Sequence, residues 1–271
     1  MNIKLARESG FCFGVKKALD RISSIKDKEN VYVLGKLIHN PQVIEELKKQ
    51  GIKFIEDIGE ITQGTLLISA HGVSDKTLEK AKQKNLKIID TTCPLVKNVH
   101  NITKNLEKQG YRIIIFGDKD HTEVKGIKGN LNAPIIISNI GELDNLEQGK
   151  YALVSQTTQD IVKFNEISAK LKNKIKDIVI SDTICSATKS RQENAKKLAK
   201  EVDLMLVIGG YNSANTKRLK DICEKIVETK HIESSKELKQ EWFKNRNNIG
   251  ITAGASTPES IIKEVIGKIP S

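Results

Sequence analysis

Three segments of this chain repeat one pattern, and that repetition restricts the fold to three copies of one supersecondary unit. Each copy opens at a cysteine where an apolar run stops and a charged, helix-like run begins. The segments are "NIKLARESGFCFGVKKALDRI" around Cys12, "LKIIDTTCPLVKNVHNITKNL" around Cys93 and "VISDTICSATKSRQENAKKL" around Cys185. A helix-period segment follows, then a short apolar run that ends in glycine: "VYVLGKLIHNP", "RIIIFGDKDHTEV" and "LMLVIGGYNSANT". Cysteine and glycine are 23 residues apart in the first copy and 24 in the other two. Next comes a weaker strand with a shared ending, "FIEDIGEI", "IISNIGEL" and "HIESSKEL". A third apolar run then stops at small, hydroxyl-bearing residues ahead of another helix: "LLISAHGVSDKTLEKA", "ALVSQTTQDIVKFNEI" and "GITAGASTPESIIKEV".

Short runs rich in Val and Ile, alternating with helical patterns, imply βαβ units and parallel sheets. The expected fold class is α/β, with three pseudo-threefold-related α/β units around a central site. Their expected boundaries are 13–93, 94–185 and 186–271, the third completed by the N-terminal strand within 1–12. Right-handed crossover logic assigns the strands before Cys93 and Cys185 to the sheet of the preceding unit. By the same phase the orphan strand at Met1–Arg7 closes the sheet of the third.

Ligands of parallel α/β sheets collect at the carboxyl ends of the strands, where loops lead into helix N-termini. The unusual residues of this chain all fall there. Cys12, Cys93 and Cys185 occupy the first loop of each unit; His39, His121 and Asn215 the second; His71, Thr157 and Ser256 the third. Pseudo-threefold symmetry is expected to bring the three loop sets to one axis.

Composition narrows the chemistry. Of 271 residues, 38% are hydrophobic and 29% charged, an ordinary globular balance. No apolar run approaches the roughly 20 residues that span a bilayer, and "MNIKLARESG" lacks the apolar core of a secretory signal. A cytoplasmic protein with no membrane partner is expected. Thiols stay reduced in that compartment, so the four cysteines are metal ligands, nucleophiles or packing groups rather than disulfides. Cys223 shares helical spacing with Leu219, Ile222 and Ile226 and belongs to the core. The net charge of +11 suits a nucleic acid, an anionic small molecule or an acidic protein. Aromatics are only 4% and the lysines are spread along helical faces, which argues against nucleic acid.

Three thiolates on one axis repel one another unless a cation sits among them. Zinc and an iron–sulfur cluster are the realistic occupants, and either leaves one coordination position open. The cysteines stand 81 and 92 residues apart, which matches no local metal knuckle, so spacing does not choose between the two. Ser213, Asn215 and Ser256 sit just ahead of helices, where hydroxyls, amides and free backbone N–H groups favour an anion. With His39, His71 and His121 they form an expected cradle for phosphate or diphosphate. No GxxxxGK[ST] loop occurs, so a nucleoside triphosphate is not indicated. His100 and His231 read as structural. Glu123, in the second loop of its unit, is a candidate proton source, the bland alternative being an ion pair with a lysine such as Lys125. Thr157 is placed to relay that proton or to hold a substrate hydroxyl.

At this point the residues resemble a known family. "GFCFGVKKAL", "HNPQVIEEL", "SAHGVS", "DTTCPLVKNVH", "DHTEVKG", "SQTT", "DTICSATKSRQE", "NSANTKRL" and "TAGASTPESII" look like the motifs of the 4-hydroxy-3-methylbut-2-enyl diphosphate reductases of the methylerythritol phosphate route to isoprenoids. They run in order from residue 10 to residue 262. The resemblance implies a [4Fe–4S] cluster held by Cys12, Cys93 and Cys185 with one open iron, and so chooses iron–sulfur over zinc. It implies that His39, His71, His121, Ser213, Asn215 and Ser256 bind the diphosphate and that Glu123 with Thr157 delivers protons. Ala214 stands where the family often has serine, leaving only a backbone contact. An external electron donor of ferredoxin or flavodoxin type is implied, its acidity suiting the positive surface. Some relatives carry C-terminal domains, which are not expected in a chain that stops at Ser271. The competing expectations are a non-redox iron–sulfur hydratase or dehydratase of a phosphorylated small molecule, and a basic nucleic-acid-binding iron–sulfur sensor.

Overall fold

The computed structural model describes residues 1–270; Ser271, the last residue of the expected third unit, lies outside them. In chain order the elements are β1 (Asn2–Leu5), α1 (Phe13–Ser23), β2 (Val31–Leu34), α2 (Pro41–Lys49), β3 (Lys53–Ile55), β4 (Thr65–Ile68), α3 (Asp75–Gln83), β5 (Lys87–Asp90) and α4 (Pro94–Lys108). There follow β6 (Arg112–Phe116), α5 (Thr122–Lys128), β7 (Ile135–Ile137), β8 (Lys150–Ser155), α6 (Ile161–Lys174), β9 (Asp177–Ile180) and α7 (Ser186–Ala199). The chain ends in β10 (Leu204–Ile208), α8 (Ala214–Cys223), β11 (Thr229–Ile232), β12 (Asn248–Ala253) and α9 (Glu259–Lys268). No helix among the described residues is long and apolar enough to cross a membrane.

Contacts group the chain into two compact units. One consists of 1–16, 39–42 and 186–270, the other of 17–38 and 43–185. The first unit holds one parallel sheet, ordered β1-β12-β10-β11. β1 joins it through the register Asn2↔Asn248 to Leu5↔Ile251, so the orphan N-terminal strand closes this sheet as the repeat phase requires. The second unit holds two parallel sheets, β3-β2-β4-β5 and β7-β6-β8-β9. β5, the strand before Cys93, lies in the sheet of β2 and β4, and β9, the strand before Cys185, in the sheet of β6 and β8.

All three sheets are α/β and share one order, and the sequence shows why. The inner strands are continuous apolar runs because parallel strands are covered on both faces. "LMLVI" of β10 is buried throughout and "RIIIF" of β6 is buried except at Arg112. The outer strands "NIKL", "KIID" and "DIVI" carry a lysine or an aspartate and are half-buried, a composition that discourages edge pairing.

The repeat also recurs in hydrogen bonds. The glycine that ends each first inner strand donates its N–H to the last residue of its neighbour: Gly35 to Ile55 O at 2.7 Å, Gly117 to Ile137 O at 2.9 Å and Gly209 to Ile232 O at 2.9 Å. The shared ending of the weaker strands is a tight turn closed by a carboxylate. Glu60 accepts the N–H groups of Glu56 and Asp57, Glu142 that of Ser138, and Glu237 those of Glu233 and Ser234, at 2.7–3.0 Å. In the two sheets of the second unit the inner strands lead on to strands at opposite flanks. The gap between their carboxyl ends is the switch point at which this class of fold binds ligands.

Candidate active site

The three cysteines occupy one equivalent position. Cys12 N–H donates to Ala255 O in the first unit; in the second, Cys93 N–H donates to Ala70 O and Cys185 N–H to Thr157 O, each at 3.0 Å. Each accepting carbonyl lies two residues beyond the end of an inner strand. Each cysteine stands at the start of a helix, α1, α4 or α7, and Pro94, which has no N–H, suits the first position of α4, where an N–H would find no partner within the helix. Helix N-termini stabilise anionic sulfur, the three thiols are half-buried, and no disulfide joins any of the four cysteines. Cys223 is different. It is buried among Ala195, Leu198 and Leu219, and burial pushes its thiol up to about 12, so it is a packing group.

The second unit holds His71, Cys93, His121, Glu123, Thr157 and Cys185. His121 caps α5, its Nδ1 accepting the Glu123 N–H at 3.2 Å, so the proton of the neutral ring sits on Nε2. The His71 ring lies edge-on to it, 5.3 Å between centroids at 89°, with Nδ1 3.5 Å from Ser69 Oγ. Glu123 is 1% exposed. Its carboxylate accepts the Thr157 N–H at 2.6 Å and the Thr157 hydroxyl at 2.8 Å. Lys125, the alternative partner, reaches Asp120 at 3.7 Å instead. Thr157 therefore grips Glu123 with two donors while its carbonyl holds Cys185. That equivalence also places Thr157 beside Ala70 and Ala255, so His71 corresponds to Thr158 and Ser256, one residue later than Thr157. Gln156, fully buried, was not singled out from sequence; its Oε1 accepts the Asp118 N–H and its Nε2 donates to Thr158.

The turn behind His71 requires glycine. Gly72 has φ +73°, and a Cβ there would lie 2.9 Å from Thr92 Cγ2. His100 lies behind the same turn, buried, its Nδ1 bonded to Asn130 at 2.9 Å. Burial lowers its pKa to about 4.

The first unit holds Cys12, His39, Ser213, Ala214, Asn215 and Ser256. Ser213 caps α8 by accepting the Thr216 N–H at 3.3 Å. Asn215 is 4% exposed, and neither its Oδ1 nor its Nδ2 has a hydrogen-bond partner. A buried polar group left so costs about 1–3 kcal/mol, and a ligand that both accepts and donates there removes that cost. Ala214 offers only its backbone N–H. The Ser256 hydroxyl donates to His39 O at 3.1 Å, so it reaches an anion only by turning away from that carbonyl. His39 O in turn lies against Gly210, where a Cβ would stand 2.4 Å away. His231, on β11, bonds Gly209 O at 2.8 Å and packs on Tyr211, a structural role.

The donor chemistry fits a thiolate-held metal group. Three cysteines outside any disulfide, repeated at helix starts, are soft ligands of the kind that hold iron–sulfur clusters.

Known proteins resemble this chain over nearly its whole length. A 4-hydroxy-3-methylbut-2-enyl diphosphate reductase of Clostridioides difficile is 46% identical over 275 residues, covering 98% of each chain. The solved E-1-hydroxy-2-methyl-but-2-enyl-4-diphosphate reductase of Plasmodium falciparum superposes with a TM-score of 0.95 at 34% identity, covering 98% of this chain and 87% of that one. A solved (E)-4-hydroxy-3-methyl-but-2-enyl diphosphate reductase, described as the terminal enzyme of the non-mevalonate pathway, gives 0.70 at 39% identity over 99% of both chains. The family described as LytB protein matches residues 3–270, and this chain belongs to it.

Proposed function

We propose that this chain reduces (E)-4-hydroxy-3-methylbut-2-enyl diphosphate to isopentenyl and dimethylallyl diphosphate, with a [4Fe–4S] cluster held by Cys12, Cys93 and Cys185. The observation that carries this reading is the recurrence of one hydrogen-bonded cysteine position in all three sheets. When bound, the cluster supplies single-electron transfer and Lewis acidity at its open iron.

The chain's own residues do the rest. His121 presents Nε2–H to the diphosphate, His39 and His71 join it, and the Asn215 amide and the N-terminus of α8 with Ser213 and Ala214 complete the anion contacts. Ser256 contributes after its hydroxyl turns from His39 O. Anchoring at the diphosphate holds the allylic hydroxyl in place for reaction. The reduction takes two electrons and two protons: the C–O bond breaks, the oxygen leaves as water with one added proton, and the allylic carbon skeleton gains the other. Thr157 Oγ1, bonded to Glu123 Oε2, is the atom through which the Glu123 carboxyl passes a proton to the leaving oxygen.

Electrons enter from a separate acidic carrier of ferredoxin or flavodoxin type, since the chain carries no nucleotide-binding motif of its own and its net charge is +11. The reading places the protein in the cytoplasm and divides it into α/β units at 13–93, 94–185 and 186–271, with 1–12 completing the third. The test uses anaerobically reconstituted protein and a reduced viologen dye. Substrate-dependent dye oxidation that disappears in Cys185→Ser supports the reductase. No oxidation despite full iron and sulfide content moves the assignment to the non-redox hydratase or dehydratase.

A further inference from the structure

His100 and Asn130 carry none of the chemistry above, yet they tie together the elements that do. Asn130 follows α5, the helix that begins at His121 and Glu123. Its Oδ1 accepts the N–H of Asp75, the first residue of α3, at 2.7 Å. Its amide nitrogen is thereby the group 2.9 Å from His100 Nδ1, which fixes His100 as neutral with its proton on Nε2. His100 belongs to α4, the helix that starts beside Cys93. Its Nε2 is buried without a partner and faces Gly72, where a Cβ would lie 3.6 Å away.

The turn of His71–Ser74 is thus held from two sides. α4 presses on it through Val96 and His100, and α5 through Gly126 and Gly129. A Cβ on Gly126 would stand 3.4 Å from Gly72 O, and one on Gly129 2.7 Å from Ser74 Cβ. The Gly129 approach excludes a methyl group, and Gly126, Val96 and His100 stand at van der Waals distance from the turn. The Asp75 carboxylate also pairs with Lys104, one turn beyond His100 on α4.

We propose that His100 and Asn130 form a clasp that sets the spacing of His71 against His121, and so tunes diphosphate affinity without touching the diphosphate. This rests on the anion-binding reading given above. Glu123 is held to Thr157 by its own two bonds, so the clasp acts on binding more than on turnover. Both residues are positioning residues.

Three variants test it. The readout is calorimetric affinity for inorganic diphosphate, with KM and kcat of the reconstituted enzyme beside it. His100→Phe keeps the bulk and removes the acceptor; affinity is expected to fall, and KM to rise, about tenfold, a single lost hydrogen bond in free-energy terms, with kcat within about threefold. His100→Asn returns an acceptor near the Nδ1 position and is expected to recover most of the affinity. Asn130→Asp keeps the acceptor for Asp75 N–H but sets a carboxylate against an unprotonated ring nitrogen. Its affinity relative to wild type is expected to be low at pH 8 and to recover as the pH falls and His100 takes a proton. Lys104, Asp75 and Asp90 also face His100 and are unchanged in all three proteins. Unchanged diphosphate affinity in His100→Phe, or a flat ratio across pH in Asn130→Asp, overturns the clasp. Wild-type protein that binds no diphosphate overturns the anion-site reading on which it rests.

Discussion

Thr157 shows how one residue can serve two roles at once: its N–H and hydroxyl hold Glu123 while its carbonyl holds the N–H of Cys185. Glu123→Gln places an amide NH2 against one of two donors, so the relay loses both its proton and its geometry. A fall in kcat of about 10²–10⁴-fold is expected, with iron content unchanged, measured by substrate-dependent viologen oxidation. An unchanged kcat removes Glu123 from proton delivery. Asn215 makes the opposite kind of prediction. Its amide is buried with no partner, so Asn215→Leu is expected to leave the ligand-free protein as stable or more so, by up to about 2–4 °C in Tm for each kcal/mol of relieved cost. The same change is expected to weaken diphosphate binding, and a lower Tm with unaltered binding refutes the assignment. Residue type alone does not single out Glu123, since Asp118 and Asp120 stand in the same loop; burial does, because Glu123 is enclosed where Asp120 is fully exposed. The grip of Thr157 was not legible either, because a backbone carbonyl bond leaves no mark on residue type.

Among the elements, α4 carries a titration of its own. Burial holds His100 near a pKa of about 4, while in the unfolded chain it takes a proton near 6.5. Between those values the unfolded state binds more protons than the native one, so stability is full above about pH 7 and declines as the pH falls. Unfolding free energies from denaturant titrations at pH 7 and pH 5 are expected to differ by about 2 kcal/mol from this group, and His100→Phe is expected to lose most of that difference. The strands and turns were read correctly where their signals are local: the glycine after each first inner strand, the "IGE" ending that became a carboxylate-closed turn, the helix starts at the cysteines. The phase of the third loop was read one residue off for Thr157. Hydroxyl-bearing residues fill several neighbouring positions in "SQTTQD", and only the carbonyl bonded to Cys185 distinguishes them.

Taken as a whole chain, the fold depends on its first strand. β1 enters the sheet beside β12, from Asn2 N–H to Asn247 O at 2.7 Å through to Ala6 N–H on Ile251 O at 2.8 Å, and leads to Cys12, which bonds Ala255. Deleting residues 2–5 leaves β12 as an edge and frees the segment that carries Cys12. The expected outcome is a lower Tm and fewer than four irons retained per chain after reconstitution and gel filtration. Full iron retention at an unchanged Tm shows that Cys12 is held without the strand. The sequence by itself determined the repeat, the parallel α/β class, the closing role of β1 and which residue types stand at strand ends. These follow from apolar periodicity and turn residues, whose physics acts within a few positions. Only the tertiary structure decided that Thr157 binds both Glu123 and Cys185, that the Asn215 amide is left without a partner, and that His100 backs the His71 turn through Asn130. Each of those depends on which atoms distant parts of the chain bring within hydrogen-bond range, and on burial, which no single segment specifies.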